Sequence, residues 1–468
     1  METLNTQLLV IGAGPGGYVC AIRAAQLGIK TTIVEAVRPG GTCLNVGCIP
    51  SKAVIHAADE FHMLNSFCAP DGEYAALGIS AESASLDLNK TMQWKDSIVD
   101  KLSSGVSGLL KKANVQVLHG EARFRDGKTV NVEGKNIDAL VRCENIVIAT
   151  GSEPVSISNL PFSEHILSST TALSLTNVPE TLAVIGGGYI GLELGTSFAK
   201  LGSRVTVIES AEHILPQYDK QLTKPVQDRL SALGVDLMTQ TKALSYDSTR
   251  KTVSVESALG DTDSIDAEKV LVTVGRRARL DGWGLQELSL TIERGCVSVN
   301  EQCQTSMRGV YAIGDVTGEP MLAHRAMAQG DMVARIIAGQ TTSWDKQCIP
   351  AVCFTDPEIV SVGLMPDDAK NTNDDINMSV FPFKANGRAM TLQRDDGFIR
   401  VITQKNTNVI LGIQAVGANV SELSAAFSLA IEMGARAEDI AATIHAHPTL
   451  SEGLQEACMM ALGMGLHI

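Results

Sequence analysis

The sequence predicts an α/β fold built from two related β–turn–α–β units and followed by a separate α+β domain. Three observations carry this expectation. An apolar run at 8–11 passes into Gly12-Ala13-Gly14-Pro15-Gly16-Gly17, then a helical pattern through Leu27 and a second strand at 31–35. The run at 182–185 repeats the arrangement through Gly186-Gly187-Gly188-Tyr189-Ile190-Gly191, a helix to Leu201 and a strand at 204–209. Each unit spans 23 positions from its first glycine (12, 186) to a closing glutamate (35, 209), and a duplication is worth more than either motif alone. From 349 onward the pattern changes to strands at 398–402 and 409–416 and helices at 422–433 and 437–444. That change marks the separate domain.

Between the units, 93–112 reads as an amphipathic helix and 146–149 as a short buried strand ending at Thr150-Gly151. A strand at 270–274 ends at Gly275, and one at 309–315 is tipped by Gly314-Asp315. The stretch 371–377 reads as a polar loop without assigned function. With 468 residues the chain is too long for one core, and about 100–200 residues per domain gives about three.

Composition narrows the function. Hydrophobic content of 44% with 19% charged residues is that of a soluble globular chain, and 42 glycines with few aromatics suit α/β layers. A formal charge of −14 opposes a nucleic-acid partner, whose phosphates need clustered Lys and Arg. No uncharged apolar run approaches the ~18 residues of a membrane span. Strand-like residues begin almost at the N-terminus, which leaves no room for a secretory signal, so a cytoplasmic location is expected. Ten cysteines are then expected mainly as buried, inert thiols.

A G-x-G-x-x-G between strand and helix lets backbone approach a pyrophosphate at a helix N-terminus, where free N–H groups and the dipole favour anions. An acidic residue about 20 positions on takes hydrogen bonds from a ribose. The first set is Gly12, Gly14, Gly17 and Glu35; the second is Gly186, Gly188, Gly191 and Glu209. A lone copy is a weak signal that turn glycines would explain, but here both copies sit between strand and helix and both end in Glu, which points to two dinucleotide sites. Glu209 would repel a 2′-phosphate, and Ser210 and Ala211 supply no cation, so the second nucleotide is expected to be NAD rather than NADP.

Cys43 and Cys48 stand five positions apart within Gly40-Gly41-Thr42-Cys43-Leu44-Asn45-Val46-Gly47-Cys48-Ile49-Pro50-Ser51-Lys52. At the start of a helix this spacing brings two Cα atoms within disulfide range, and the helix N-terminus favours thiolate. Structural zinc prefers shorter spacings and two further ligands. Cys348 and Cys353 repeat the spacing with no glycine-rich approach and a proline between them, so they and the other six are read as structural. Near the C-terminus, His445-Ala446-His447-Pro448-Thr449-Leu450-Ser451-Glu452 offers a base near neutral pKa with a carboxylate to orient it. Thr449-x-x-Glu452 also fits a capping box, and the histidines fit packed core residues.

Together these motifs resemble the pyridine nucleotide–disulfide oxidoreductases across essentially the whole chain. The long cysteine motif and His-Ala-His-Pro-Thr-Leu are most similar to the dihydrolipoamide dehydrogenase family, with its branched-chain 2-oxo acid form nearer than the pyruvate form. The resemblance implies two Rossmann-like domains and a C-terminal dimerisation domain. Its segments are an FAD domain at 1–150, an NAD domain at 151–280, a central FAD segment at 281–347 and an interface domain at 348–468. It implies oxidation of dihydrolipoamide through Cys43, Cys48 and FAD to NAD⁺, with His447 as base and Glu452 as its orienter. It implies a homodimer in which His447 serves the other subunit's disulfide, with lipoyl domains and a core acyltransferase as partners. Lys52 matches the lysine beside the flavin, paired with Glu193, which is grouped with the NAD set alongside Gly275. Asp315, Met321, Leu322, Ala323, His324, Thr150 and Gly151 match flavin-contacting positions, and Thr42 and Gly120 join them. One departure is Arg276-Arg277-Ala278-Arg279, where relatives carry a Pro-Asn turn; it is expected to touch no catalytic position. The competing readings are a reductase of another disulfide or metal ion using NAD(P)H, and an assembly subunit of a multienzyme complex.

Overall fold

The computed structural model describes residues 2–371 and 375–468. Its first sheet grows from the strand Glu2–Ile11, in which Leu8, Leu9 and Val10 are wholly buried. A continuous apolar run suits a strand covered on both faces. Thr31–Glu35 and Ile137–Ile148 flank it in parallel; Gln116–His119 and Val310–Ala312 extend the sheet on either side. The strand expected at 146–149 is thus the end of a longer one. Its first half carries the antiparallel strands Thr129–Gly134 and Glu121–Asp126, a hairpin the sequence reading passed over.

The chain leaves this sheet after Ile148 and rejoins it at Val310. The intervening residues build a second parallel sheet in the order Asp236–Met238, Arg204–Ile208, Thr181–Ile185, Lys269–Val272, Ile166–Leu167. On return, the strand expected to reach 315 stops at Ala312. Gly314 takes φ +72 and opens a 3-10 turn, Gly314–Thr317, so Asp315 sits on a turn and not on a strand.

The remaining residues form a five-stranded antiparallel sheet in the order Ala351–Cys353, Glu358–Gly363, Ile410–Gly417, Phe398–Gln404, Ile376–Pro382. The helices Ser424–Glu432, Ala437–Ala442 and Glu452–Ala461 accompany it. The last of these starts where the capping-box pattern at 449–452 allowed a helix. The polar loop read at 371–377 is cut at both ends, by the helix Pro366–Asn371 and by the strand Ile376–Pro382; 372–374 lie outside the described residues. One apolar cluster crosses all three layers. It joins Val54 and Ala58 of the Cys48–Ser66 helix to Leu192 and Phe198 of the second layer and Ile359, Phe398 and Val416 of the third. The layers therefore share a core and do not merely touch.

Candidate active site

The two glycine turns are built alike. A Cβ at Gly12 (φ +97) would fall 2.4 Å from the Ala149 carbonyl oxygen, and one at Gly17 would fall 1.9 Å from that of Gly12. In the second copy, Gly186 (φ +103) faces the Thr273 carbonyl at 2.7 Å and Gly191 faces that of Gly186 at 2.3 Å. Protein packing alone demands these four. It does not demand Gly14, whose nearest neighbour is the Gly41 Cα at 3.9 Å, nor Gly188, which has nothing within 4 Å. Both are helix N-caps with no side-chain cap, so unpaired N–H groups face an open cradle. A helix N-terminus that no side chain approaches fits a dinucleotide pyrophosphate.

The closing glutamates carry a second task that the motif did not reveal. Glu35 Oε2 accepts the Ala13 N–H (2.8 Å) and its Oε1 accepts that of Val37 (2.9 Å). Glu209 Oε2 accepts the Gly187 N–H (2.6 Å) and its Oε1 that of Ala211 (2.7 Å). Each carboxylate ties a strand end to its glycine turn and keeps lone pairs free for a ribose.

The first turn has close neighbours. Gly41 (φ +59) would drive a Cβ within 2.5 Å of the Gly14 Cα, so glycine here lets the cysteine segment, with exposed Thr42, sit directly on the turn. Thr150 N lies against Gly12, its Oγ1 donates to the Arg279 carbonyl (3.1 Å), and Gly151 follows at φ +75. The Gly120 N–H donates to the Glu35 carbonyl at 3.0 Å. Met321 and Leu322 lead into the helix Ala323–Ile337, which packs on Pro15–Gln26 so closely that a Cβ on Gly330 would fall 2.4 Å from the Gly16 carbonyl. His324 donates from Nε2 to the Pro350 carbonyl (2.8 Å), and burial lowers its pKa. Gly275 takes φ +125 past the second sheet. Asp315 Oδ2 accepts the Ser152 hydroxyl (2.5 Å), and Ser152 takes two bonds from Arg276, each 2.8 Å. The Arg276–Arg279 segment is therefore not remote, because it reaches Asp315 through Ser152. No signal in the sequence marked that serine.

The sequence places both cysteines at one helix start; the structure divides them. Cys43 lies in the short helix Gly41–Val46, the backbone breaks at Gly47 (φ −137, ψ −110), and Cys48 begins the helix Cys48–Ser66. Gly47 is held there because a Cβ would meet the Thr42 carbonyl at 2.9 Å. Cys48 is the first residue of the 19-residue helix, whereas Cys43 is the third of a six-residue one. Interaction with the Cys43 side chain lowers Cys48 to about 7, against burial, with Lys52 helping. The same interaction, with burial, raises Cys43 well above the usual thiol range. Of the two, Cys48 is the thiol whose surroundings favour the thiolate.

Lys52, one turn beyond Cys48, puts its Nζ 2.8 Å from Glu193 Oε2 and 4.4 Å from the centre of the Phe354 ring. Glu193 is only 4% exposed, and its Oε1 accepts the Phe354 N–H at 2.9 Å. This places Glu193 with the thiols, whereas the sequence grouped it with the NAD set. Cys353, read as structural, is buried, has its pKa pushed up to about 12 mainly by burial, and contacts the Tyr218 hydroxyl. Cys348 shows a raised pKa from burial and the Glu432 carboxylate beside it.

His447 Nδ1 lies 2.9 Å from Glu452 Oε1, while Oε2 accepts the Thr449 N–H at 2.7 Å. A carboxylate only accepts, so Nδ1 carries the proton and Nε2 is left as the lone-pair base. Burial works to raise the Glu452 pKa, but the Thr449 N–H and His447 outweigh it and hold it low. Glu452 also opens the helix Glu452–Ala461; its bond from the Thr449 N–H is one half of a capping box, and no side chain caps the helix at Ser451. The His447 side chain is 80% exposed, and among the described residues no hydrogen bond links it to either thiol.

Two family models match the chain: the pyridine nucleotide-disulphide oxidoreductase model over 6–330 and the dimerisation domain of the same family over 349–458. A dihydrolipoyl dehydrogenase of Pseudomonas aeruginosa is 52% identical, with both chains covered in full. One from Geobacillus stearothermophilus is 47% identical over 99% of this chain and 98% of its own. Among solved structures, the HOCl-induced flavoprotein disulfide reductase RclA from Escherichia coli superposes with a TM-score of 0.86 at 24% identity, covering 97% of this chain and 99% of its own. LpdA from Mycobacterium tuberculosis gives 0.88 with the same identity and coverages, and both likenesses concern the fold. On its full-length relatives and family models, the chain belongs to the pyridine nucleotide-disulphide oxidoreductases, among the dihydrolipoyl dehydrogenases.

Proposed function

We propose that this chain oxidises protein-bound dihydrolipoamide and passes the electrons to NAD⁺. The observation that carries the reading is the placing of the two cysteines: Cys43 stands across the Gly47 break from Cys48, which opens a 19-residue helix with Lys52 one turn beyond and has its pKa lowered by Cys43 and Lys52. Such a pair is the reduced product of a disulfide that accepts two electrons. FAD on the first glycine turn (Gly12, Gly14, Gly17, Glu35, with Asp315 and 321–324 nearby) supplies two-electron transfer to NAD⁺ on the second (Gly186, Gly188, Gly191, Glu209).

The chain's own residues account for the thiol chemistry. His447 Nε2 takes a proton from one substrate thiol, with Glu452 stabilising the imidazolium through Nδ1–H. The substrate sulfur attacks Cys43, the Cys43–Cys48 bond breaks, and Cys48 leaves as thiolate beside Lys52. The second substrate thiol then attacks the mixed disulfide and expels Cys43, which takes up the second proton. The substrate loses two electrons and the cysteine pair gains them.

His447 belongs to a surface, which supports delivery to the disulfide of a second copy. In the same domain Leu429, Met433 and Ile444 are 63%, 74% and 96% exposed, apolar area suited to a homodimer. Lipoyl domains and the core acyltransferase of a 2-oxo acid dehydrogenase complex fit as partners, in the cytoplasm. The segments 1–150, 151–280, 281–347 and 348–468 are the corresponding domains. Glu209 favours NAD over NADP, since its carboxylate is fixed in the turn and would repel a 2′-phosphate. No helix of the described residues is long and apolar enough to cross a membrane.

Anaerobic addition of dihydrolipoamide or NADH to the purified protein tests the reading. Either donor is expected to produce a long-wavelength band from a thiolate lying against flavin, and Cys48→Ser to abolish it. A colourless protein, or one reduced only by NADPH, would overturn the assignment.

A further inference from the structure

Lys52 and Asp59 stand seven residues apart on the helix Cys48–Ser66, and Glu193 and Lys200 stand seven apart on Tyr189–Lys200. Seven residues are about two turns, so each helix presents both of its groups on one face. The helices pack together, and two ion pairs of opposite polarity cross between them. Lys52–Glu193 measures 2.8 Å and Asp59–Lys200 2.5 Å. A cavity of about 100 Å³ lies between, lined by Ile55, Thr196 and Ser197 as well as the charged groups, with room for several waters. The interface domain touches both pairs through one short segment: the Phe354 N–H binds Glu193 Oε1, and Asp356 binds Lys200 at 2.6 Å. Arg229 (2.9 Å) and Arg394 also hold Asp356.

We propose that Lys200, gripped by Asp59 and Asp356, is a positioning residue that fixes the register of the two helices, so that Glu193 keeps Lys52 beside Cys48. Lys200 is 6% exposed and Asp356 10%, and seven residues set this rung about 10 Å along the helices from Lys52–Glu193. A buried ion pair adds little stability over well-packed apolar side chains, so its placement points to geometry. Without this second rung, Glu193 borders a polar cavity into which its carboxylate can turn and hydrate, leaving Lys52 without a partner. Burial works to raise the Asp356 pKa, but Lys200, Arg394 and Arg229 drive it far below the carboxylate range, so Asp356 stays charged at any working pH. Glu73 completes the shell at Arg229 and Asp396 that at Arg394. Glu358, raised by burial, stands on the cavity wall. Facing Cys48 itself are Cys43, Lys52 and Glu193, and Tyr189 and Cys353 lie within electrostatic reach of Glu193.

The inference rests on Cys48 being the thiolate of the relay. The test titrates the long-wavelength band of the two-electron-reduced holoenzyme across neutral pH in wild type, Lys200→Met and Lys200→Arg. Wild type should titrate near 7. Lys200→Met should titrate about one pH unit higher, roughly a fivefold smaller thiolate fraction at neutrality, and Lys200→Arg should restore the wild-type midpoint. Where Lys200→Met does not fold, Asp59→Asn, at a half-exposed position, should move the midpoint the same way. A wild-type midpoint in Lys200→Met, or an equal shift in Lys200→Arg, overturns the positioning role alone. If wild type gives no band that Cys48→Ser removes, the relay reading falls and this inference falls with it.

Discussion

Replacing Glu452 by glutamine isolates what its negative charge contributes to thiol attack. The carboxylate takes Nδ1–H of His447 at 2.9 Å and the Thr449 N–H at 2.7 Å, and an amide of the same shape keeps one acceptor and loses the charge. A hydrogen bond to a charged group contributes about 1.5–3 kcal/mol. The imidazolium forms as the substrate gives up its proton, so that amount is lost from the transition state. At about 1.4 kcal/mol per decade, dihydrolipoamide should reduce the Cys43–Cys48 disulfide roughly 10- to 150-fold more slowly. His447→Gln removes the base itself and should cost about 10²- to 10⁴-fold. Anaerobic rapid mixing, following the appearance of the Cys48 thiolate, measures both. Reduction by NADH does not require proton removal from a substrate thiol and should stay near the wild-type rate. Glu452→Gln within about threefold of wild type, or slowed equally with NADH, refutes the orienting role.

Lys52→Met should move the pH midpoint of Cys48 alkylation in the reduced protein from about 7 toward the ordinary thiol value of about 8.5; an unmoved midpoint denies Lys52 its electrostatic part. Gly188→Ala should leave stability within about 0.5 kcal/mol, because the added methyl meets no protein atom, while calorimetry should find NADH binding weakened at least about tenfold. Gly17→Ala, with its Cβ 1.9 Å from a carbonyl, should instead yield unstable, flavin-poor protein. Asp219→Ala strands the buried Arg400 guanidinium and uncaps the helix Lys220–Ala232, and thermal unfolding should register a loss of about 3–5 kcal/mol. Burial works to raise the Asp219 pKa, but Arg400 and the helix N–H groups lower it. Its stabilisation is therefore complete above the ordinary carboxylate pKa of about 3.9 and vanishes as pH falls through the lowered value, so the variant should lose that acid-side step.

The glycine turns and the thiol spacing were legible because each depends on neighbours in sequence. A positive φ at Gly12 and a helix starting at Cys48 are local demands that residue type answers directly. The hairpin 121–134 was not legible, because charged side chains on its open face mask a short alternation. Asp315 was read as the tip of a strand, since apolar residues run up to it, and only the positive φ of Gly314 turns the chain there. The break at Gly47 escaped notice because five positions suit one helix as well as two. Ser152, Phe354 and Asp356 left no trace, as each acts on a residue 150 or more positions away, Phe354 through its backbone N–H, which any residue but proline supplies. Contacts of that range are decided by how layers pack, which residue pattern records poorly.

The interface domain bears on the thiols from two directions at once. Within one chain, its Phe354 N–H and Asp356 hold the Glu193 and Lys200 faces of a helix in the second layer, and so act on Lys52 and Cys48. The same domain carries His447 outward on an exposed turn fixed by Glu452. The acid–base group and the thiolate support thus ride on one sheet, separated by the core that contains Phe381, Phe383 and Ile399. A change that tilts this sheet against the Cys48–Ser66 helix must disturb both functions together. A change confined to the 445–452 turn should disturb only the base. Comparing the Cys48 titration with the rate of dihydrolipoamide attack across a set of interface-domain variants separates the two cases. Sheet-core substitutions should move both quantities in step, whereas turn substitutions should move the rate alone. If core variants slowed thiol attack without shifting the titration, the mechanical link through Phe354 and Asp356 would have to be abandoned.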